Sequence, residues 1–122
     1  MADKTISGYY GSQLNKFIDD NCRHDMTAMN IDLIIYRAYN KHIRIIESKH
    51  TNEKIGIGQL NLLKKLSEQN KFSDCEFEVL IIYGDEPYND VVVHNLTKDE
   101  EYHLNKNQLI KYLNFEFTPQ AQ

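Results

Sequence analysis

The stretch DLIIYRAYNKHIRIIESKHTNEKIGIGQ, residues 32–59, decides how this chain is read. Two runs rich in β-branched and aromatic residues, Ile31–Tyr39 and His42–His50, flank Asn40-Lys41. Short runs of that composition read as strands, and a break this short between them reads as a hairpin. Asn-Lys lacks the glycine of the strongest hairpin turns. With Asn40-Lys41 as a two-residue turn, Tyr39 faces His42, Ile34 faces Glu47 and Asp32 faces Lys49. Directly opposed residues share a face of the sheet. Glu47 and Lys49 are two apart, so they also share a face, roughly 7 Å apart at Cα. Asp32, Glu47 and Lys49 therefore come together, with Tyr36 on the same side. Arg37 and Arg44 are expected to oppose each other on the other side. A four-residue loop gives the same register, whereas a three-residue loop sends Asp32 to the wrong face.

Outward from the hairpin, Thr51–Gly58 reads as a polar connection. Leu60, Leu63 and Leu66 then mark a helix over Gly58–Asn70, with Lys64, Lys65 and Lys71 toward its C-terminal half. Glu76–Tyr83 contains Val79-Leu80-Ile81-Ile82, apolar on both parities, which predicts a strand covered on both faces. Gly84–Asp90 reads as a loop, Val91–Leu96 as a strand and Lys98–Glu101 as a solvated turn. Asn105–Asn114 reads as a helix with Leu109, Ile110 and Leu113 on one face. Toward the N-terminus, Arg23–Asn30 reads as a loop. Leu14, Phe17 and Ile18 predict a helix over Gly8–Cys22. The expected order is helix, strand, strand, helix, strand, strand, helix: an α/β sandwich with a mixed central sheet flanked by helices.

A chain of 122 residues suits one domain spanning 1–122, with residues 1–7 and 118–122 as flexible ends. Its formal net charge of -4 does not suggest a protein held on nucleic acid by bulk positive charge, though local basic patches are compatible with it. Cys22 and Cys75 lack metal-site spacing and read as reduced thiols. No signal peptide or membrane-spanning run stands out, so an intracellular, cytoplasmic location without membrane association is expected.

The co-facial group has a chemical reading. Two carboxylates, Asp32 and Glu47, with the backbone carbonyl of Ser48 between Glu47 and Lys49, suit a hard divalent cation such as magnesium. Such an ion stabilises charge on a phosphate and acidifies a bound water. Lys49 beside it can position that water or stabilise the transition state. A Glu-x-Lys on a strand is, by itself, most often an exposed ion pair. Here Asp32 precedes Glu47 by fourteen intervening residues and a helix begins near Gln59.

The pattern Asp32-x14-Glu47-Ser48-Lys49, followed by that helix, resembles the PD-(D/E)xK nuclease superfamily. The resemblance covers about residues 8–96. It implies a restriction-endonuclease-like core and magnesium-dependent hydrolysis of DNA, with manganese able to substitute. Asp32 and Glu47 would be metal ligands with the Ser48 carbonyl, Lys49 the catalytic lysine, and Gln59 the helix glutamine that some branches carry. Small nucleases of this fold often pair to cut two strands, so a homodimer is plausible by analogy. Ile31 stands where the nominal motif has proline. No glutamate marks the first helix, where Gln13 is the nearest polar residue. Leu63 replaces the tyrosine that often follows the glutamine. The alternative is a nuclease-fold binding or assembly module whose site has decayed. His50 points away from the group, and His24, His42, His94 and His103 show no paired metal spacing; they read as surface or satisfied histidines. Tyr9, Tyr10 and Tyr36 read first as packing residues, with base stacking as the functional option.

Overall fold

In the computed structural model the two runs flanking Asn40 form an antiparallel hairpin, β1 (Leu33–Arg37) and β2 (His42–Lys49). The structure describes residues 16, 17, 20–23, 25, 31–68 and 74–120. The chain divides into two units, Met1–Asn30 and Ile31–Gln122. In the first, residues 16, 17, 20 and 21 are helical, and Lys16 pairs with Asp20 one turn on at 3.1 Å. The rest of the helix expected over Gly8–Cys22, with Tyr9, Tyr10 and Gln13, lies outside the described residues, as do His24 and Lys71.

The second unit continues with α1 (Ile57–Glu68), β3 (Glu76–Tyr83), β4 (Asp90–Asn95), β5 (Glu100–Asn105) and α2 (Lys106–Leu113). The five strands form one mixed sheet in the order β1-β2-β3-β4-β5. Only β2 and β3 are parallel, and α1 is the crossover between them. The other pairs are antiparallel. This unit is α/β.

Two sequence expectations change. The hairpin turn holds four residues, Ala38–Lys41, closed by the Lys41 N–H donating to the Ala38 carbonyl at 3.2 Å. Lys41 takes the left-handed conformation, with φ of 52°. A two-residue turn would want that geometry at both of its positions without a glycine to supply it. The four residues are centred on Tyr39-Asn40, one position before Asn40-Lys41, so the register moves by two, with Leu33 opposite Ile46 and Arg37 opposite His42. A shift of two keeps every side chain on its expected face. It also separates Arg37 from Arg44, whose partner across the hairpin is Ile35. The second change is β5. The turn falls at residues 96–99, and Glu100–Asn105 forms a strand instead of continuing a solvated loop. Its alternation is short but present: Tyr102 and Leu104 are buried, and His103 is exposed.

Each sheet face has its helix. On one, Ile46, Leu80, Ile82, Val91, Val93 and Leu104 pack with Leu109 and Tyr112 of α2. Asn105 caps α2: its side chain accepts the Gln108 N–H, and the Gln108 side chain accepts the Asn105 N–H. On the other face lie Ile45, Val79 and Ile81, with α1 above burying Leu63 and Ser67. Val79–Ile82 is buried on both parities, as a strand between two helical layers requires. No helix among the described residues is long and apolar enough to cross a membrane. Cys22 and Cys75 are free thiols.

Candidate active site

The C-terminal end of β2 brings the sequence-identified residues together on the α1 face. Asp32 immediately precedes β1. Continuing the observed register, it stands opposite Glu47 rather than opposite Lys49. Its Oδ2 accepts the Ser48 N–H at 2.9 Å. In an extended strand the carbonyl of a residue faces the same neighbour as its N–H, so the Ser48 carbonyl is also turned toward the Asp32 side. Glu47 is only 5% exposed. Its Oε2 lies 3.4 Å from Lys49 Nζ, and its Oε1 is buried with no hydrogen-bond partner among the described residues. Burial, then the charge of Asp32, push the Glu47 carboxyl up to about 7 against the opposing pull of Lys49.

Lys49 is held by three oxygens. Besides Glu47, its ammonium donates to Gln59 Oε1 at 3.3 Å and lies 3.6 Å from Glu53 Oε2. Gln59 comes from the first turn of α1, so the crossover helix delivers it to the end of the strand it follows. Glu53 was not singled out in the sequence, where it is one polar residue in a polar connection; its spacing of four from Lys49 was the available signal. Its position is built. Glu53 Oε1 accepts the His50 N–H at 2.8 Å, and its own N–H donates to the His50 carbonyl at 3.0 Å. Asp85 anchors this turn, accepting the Thr51 N–H at 3.2 Å and pairing with His50 Nδ1 at 2.5 Å. His50 thus turns from the acids to Asp85, whose hydrogen bond raises its pKa. The Gly84 N–H donates to the Lys49 carbonyl at 2.8 Å. Gly84 sits so close to β4 that a Cβ there would meet Val91 Cγ1 at 2.6 Å, which only glycine avoids.

Tyr36 shares this face by register but lies at the exposed outer strand. Lys64 and Lys65 of α1 are exposed.

A second group of acids, on the α2 face, is also spaced closely enough to surround an ion: His42, Glu76 and Glu78. Its partners argue against that use. Glu78 Oε1 already bonds His42 Nε2 at 2.6 Å and accepts from Arg44 Nε at 3.1 Å. Glu78 Oε2 accepts from Asn95 Nδ2 at 2.7 Å and lies 3.4 Å from Lys98 Nζ. The other imidazole nitrogen, Nδ1, faces Glu76 at 3.9 Å. Burial raises the Glu78 carboxyl, but the hydrogen bonds of Arg44 and Asn95, the Arg44 charge and the His42 bond outweigh it and hold it at about 2. An arginine sandwiched between the Tyr112 and Phe115 rings and a lysine are already the counter-charges here. Among the described residues the other two histidines are also partnered: His94 and His103 flank the Glu101 carboxylate at 2.6 and 3.0 Å.

No protein-family model matches the chain, and no curated protein or solved structure matches it either.

Proposed function

We propose that the chain is a divalent-metal-dependent nuclease that hydrolyses DNA phosphodiester bonds on a restriction-endonuclease-like core. One observation carries the reading: a buried glutamate oxygen, Glu47 Oε1, without a hydrogen-bond partner among the described residues, beside a second carboxylate and a lysine. An unsatisfied buried oxygen costs stability unless something fills the position. The donor set, two carboxylates and a strand carbonyl, is all oxygen and suits magnesium or manganese better than a softer ion.

Asp32, Glu47 and the Ser48 carbonyl would hold the ion, which when bound would neutralise phosphate charge and acidify water. Asp32 is pre-positioned by the Ser48 N–H. Lys49 remains aimed by Gln59 and Glu53 when Glu47 turns to a cation. An ammonium fixed by oxygens on its own side of the site offers its charge to a phosphate without having to reorganise. Glu53 then acts as a positioning residue for Lys49, and so does Gln59.

The test is cleavage of labelled linear, circular, single-stranded and branched DNA with and without magnesium. The wild type is expected to cut only with the ion. Asp32→Ala and Lys49→Ala are each expected to lower the rate by about a hundredfold or more. Full activity in both variants would sink the reading. Absence of metal binding in calorimetry, together with tight binding to a protein, would favour the decayed module instead.

A further inference from the structure

The face that carries Glu47 and Lys49 does not end at α1. Pairing places Lys49, Tyr83, Val92 and His103 in one row across β2, β3, β4 and β5. Over the far part of that row opens a hollow of about 400 Å³, lined by Tyr83, Val92, Asn52, Glu53, Asp90 and His103, with Thr51 at the turn. The volume lies in the range of small-ligand sites. Glu53 links the hollow to the candidate active site: it lines the hollow, and its Oε2 is 3.6 Å from Lys49 Nζ.

Its chemistry differs from that of the Lys49 end. Among the described residues two acids, Glu53 and Asp90, line it, and no lysine or arginine does. A phosphate is repelled there. A tyrosine, a valine and an asparagine amide are instead the kinds of group that a nucleobase meets by stacking, apolar contact and edge hydrogen bonds. The backbone of a strand would therefore run past Lys49 while one of its bases turned into the hollow. A base locked in a duplex cannot do this without leaving the stack.

We propose that this hollow receives an unpaired nucleobase next to the phosphate addressed by Lys49, which makes the substrate a single-stranded or locally unpaired region. The inference rests on the nuclease reading above and adds the substrate class to it.

The chain has no tryptophan, so Tyr83→Trp places a lone reporter in the hollow. The variant is titrated with a single-stranded oligonucleotide and with an abasic strand of equal length, in calcium instead of magnesium. The base-bearing strand is expected to quench the fluorescence and to bind about tenfold more tightly than the abasic one. Equal response to the two, or response to neither, overturns the proposal. A second readout keeps Tyr83. One abasic position is walked along a strand cut by the wild type, and cleavage is expected to slow about tenfold only when that position flanks the cut. Uniform rates overturn the proposal. Cleavage lost in Asp32→Ala but indifferent to missing bases removes the hollow alone. Base-dependent quenching without any magnesium-dependent cleavage removes the nuclease reading.

Discussion

Glu47 and Glu78 are buried glutamates on neighbouring strands, one on each face of the same sheet, and they are held in opposite ways. Glu78 is 2% exposed and has partners on both oxygens, from His42, Arg44, Asn95 and Lys98. Glu47 is 5% exposed, faces Lys49, and leaves an oxygen without a hydrogen-bond partner among the described residues. The first is driven down to about 2 and the second up to about 7, from an ordinary value near 4.5. Burial is nearly the same, so burial does not decide the difference; the neighbours do. A surrounded carboxylate ties strands together. A deprived one stores a demand that a cation can meet.

Breaking the surrounded side should have the largest effect on stability. Glu78→Ala leaves Arg44 buried without its main counter-charge, and removal of one partner from such a pair typically costs about 3–5 kcal/mol. Urea denaturation of the variant at neutral pH checks this. Because the folded pKa of Glu78 lies below the unfolded one, its contribution is present above about pH 4.5 and fades as the pH falls toward 2. The variant should therefore lose that part of the acid sensitivity of the wild type.

The deprived side carries the opposite sign. The folded pKa of Glu47 lies above its unfolded value, so the metal-free protein is penalised as the pH rises from about 4.5 through 7. A shift of that size corresponds to about 3 kcal/mol at alkaline pH. Glu47→Gln should thus stabilise the metal-free protein at pH 8 and change little at pH 5, read from denaturation curves at the two values. If the variant is destabilised equally at both, Glu47 is a packing residue and the contrast with Glu78 fails.

A smaller effect sharpens the comparison further. Magnesium at a hundred times its dissociation constant should raise the unfolding free energy of the wild type by about 2.7 kcal/mol. It should do nothing for Glu47→Gln, and a shift that survives in that variant would place the ion elsewhere.

Much of this was legible in the residues. The run Val79–Ile82 announced a doubly covered strand, and the leucines after Gln59 announced α1. The shared face of Asp32, Glu47 and Lys49 followed from parity, and parity tolerated an incorrect turn. Turn geometry itself was misleading: Asn40 is the residue of Ala-Tyr-Asn-Lys most disposed to a positive φ, yet Lys41 takes it. β5 hid behind charge: Glu100 and Glu101 read as solvent-facing turn, and only Tyr102 and Leu104 carried the alternation. Glu78 was also passed over. An acid at the start of an apolar strand is ambiguous until the opposing residue is known to be Arg44, and that depends on the parallel register of β2 with β3. Glu53 needed the fold of its turn around Asp85 before it had any address.

The single parallel pair has a further consequence. Because β2 and β3 run the same way, α1 must return over the sheet, and its first turn lands at the end of β2. Every residue proposed to hold the ion or to aim the ammonium thus falls within 28 consecutive positions, Asp32 through Gln59. That segment is a cassette in chain order but not in stability. Its other surface presents Ile46 to the α2 cluster and Arg44 to the Tyr112 carbonyl, both supplied from far downstream. The proposed chemistry is encoded locally; the shape that makes it usable is underwritten by the last third of the chain.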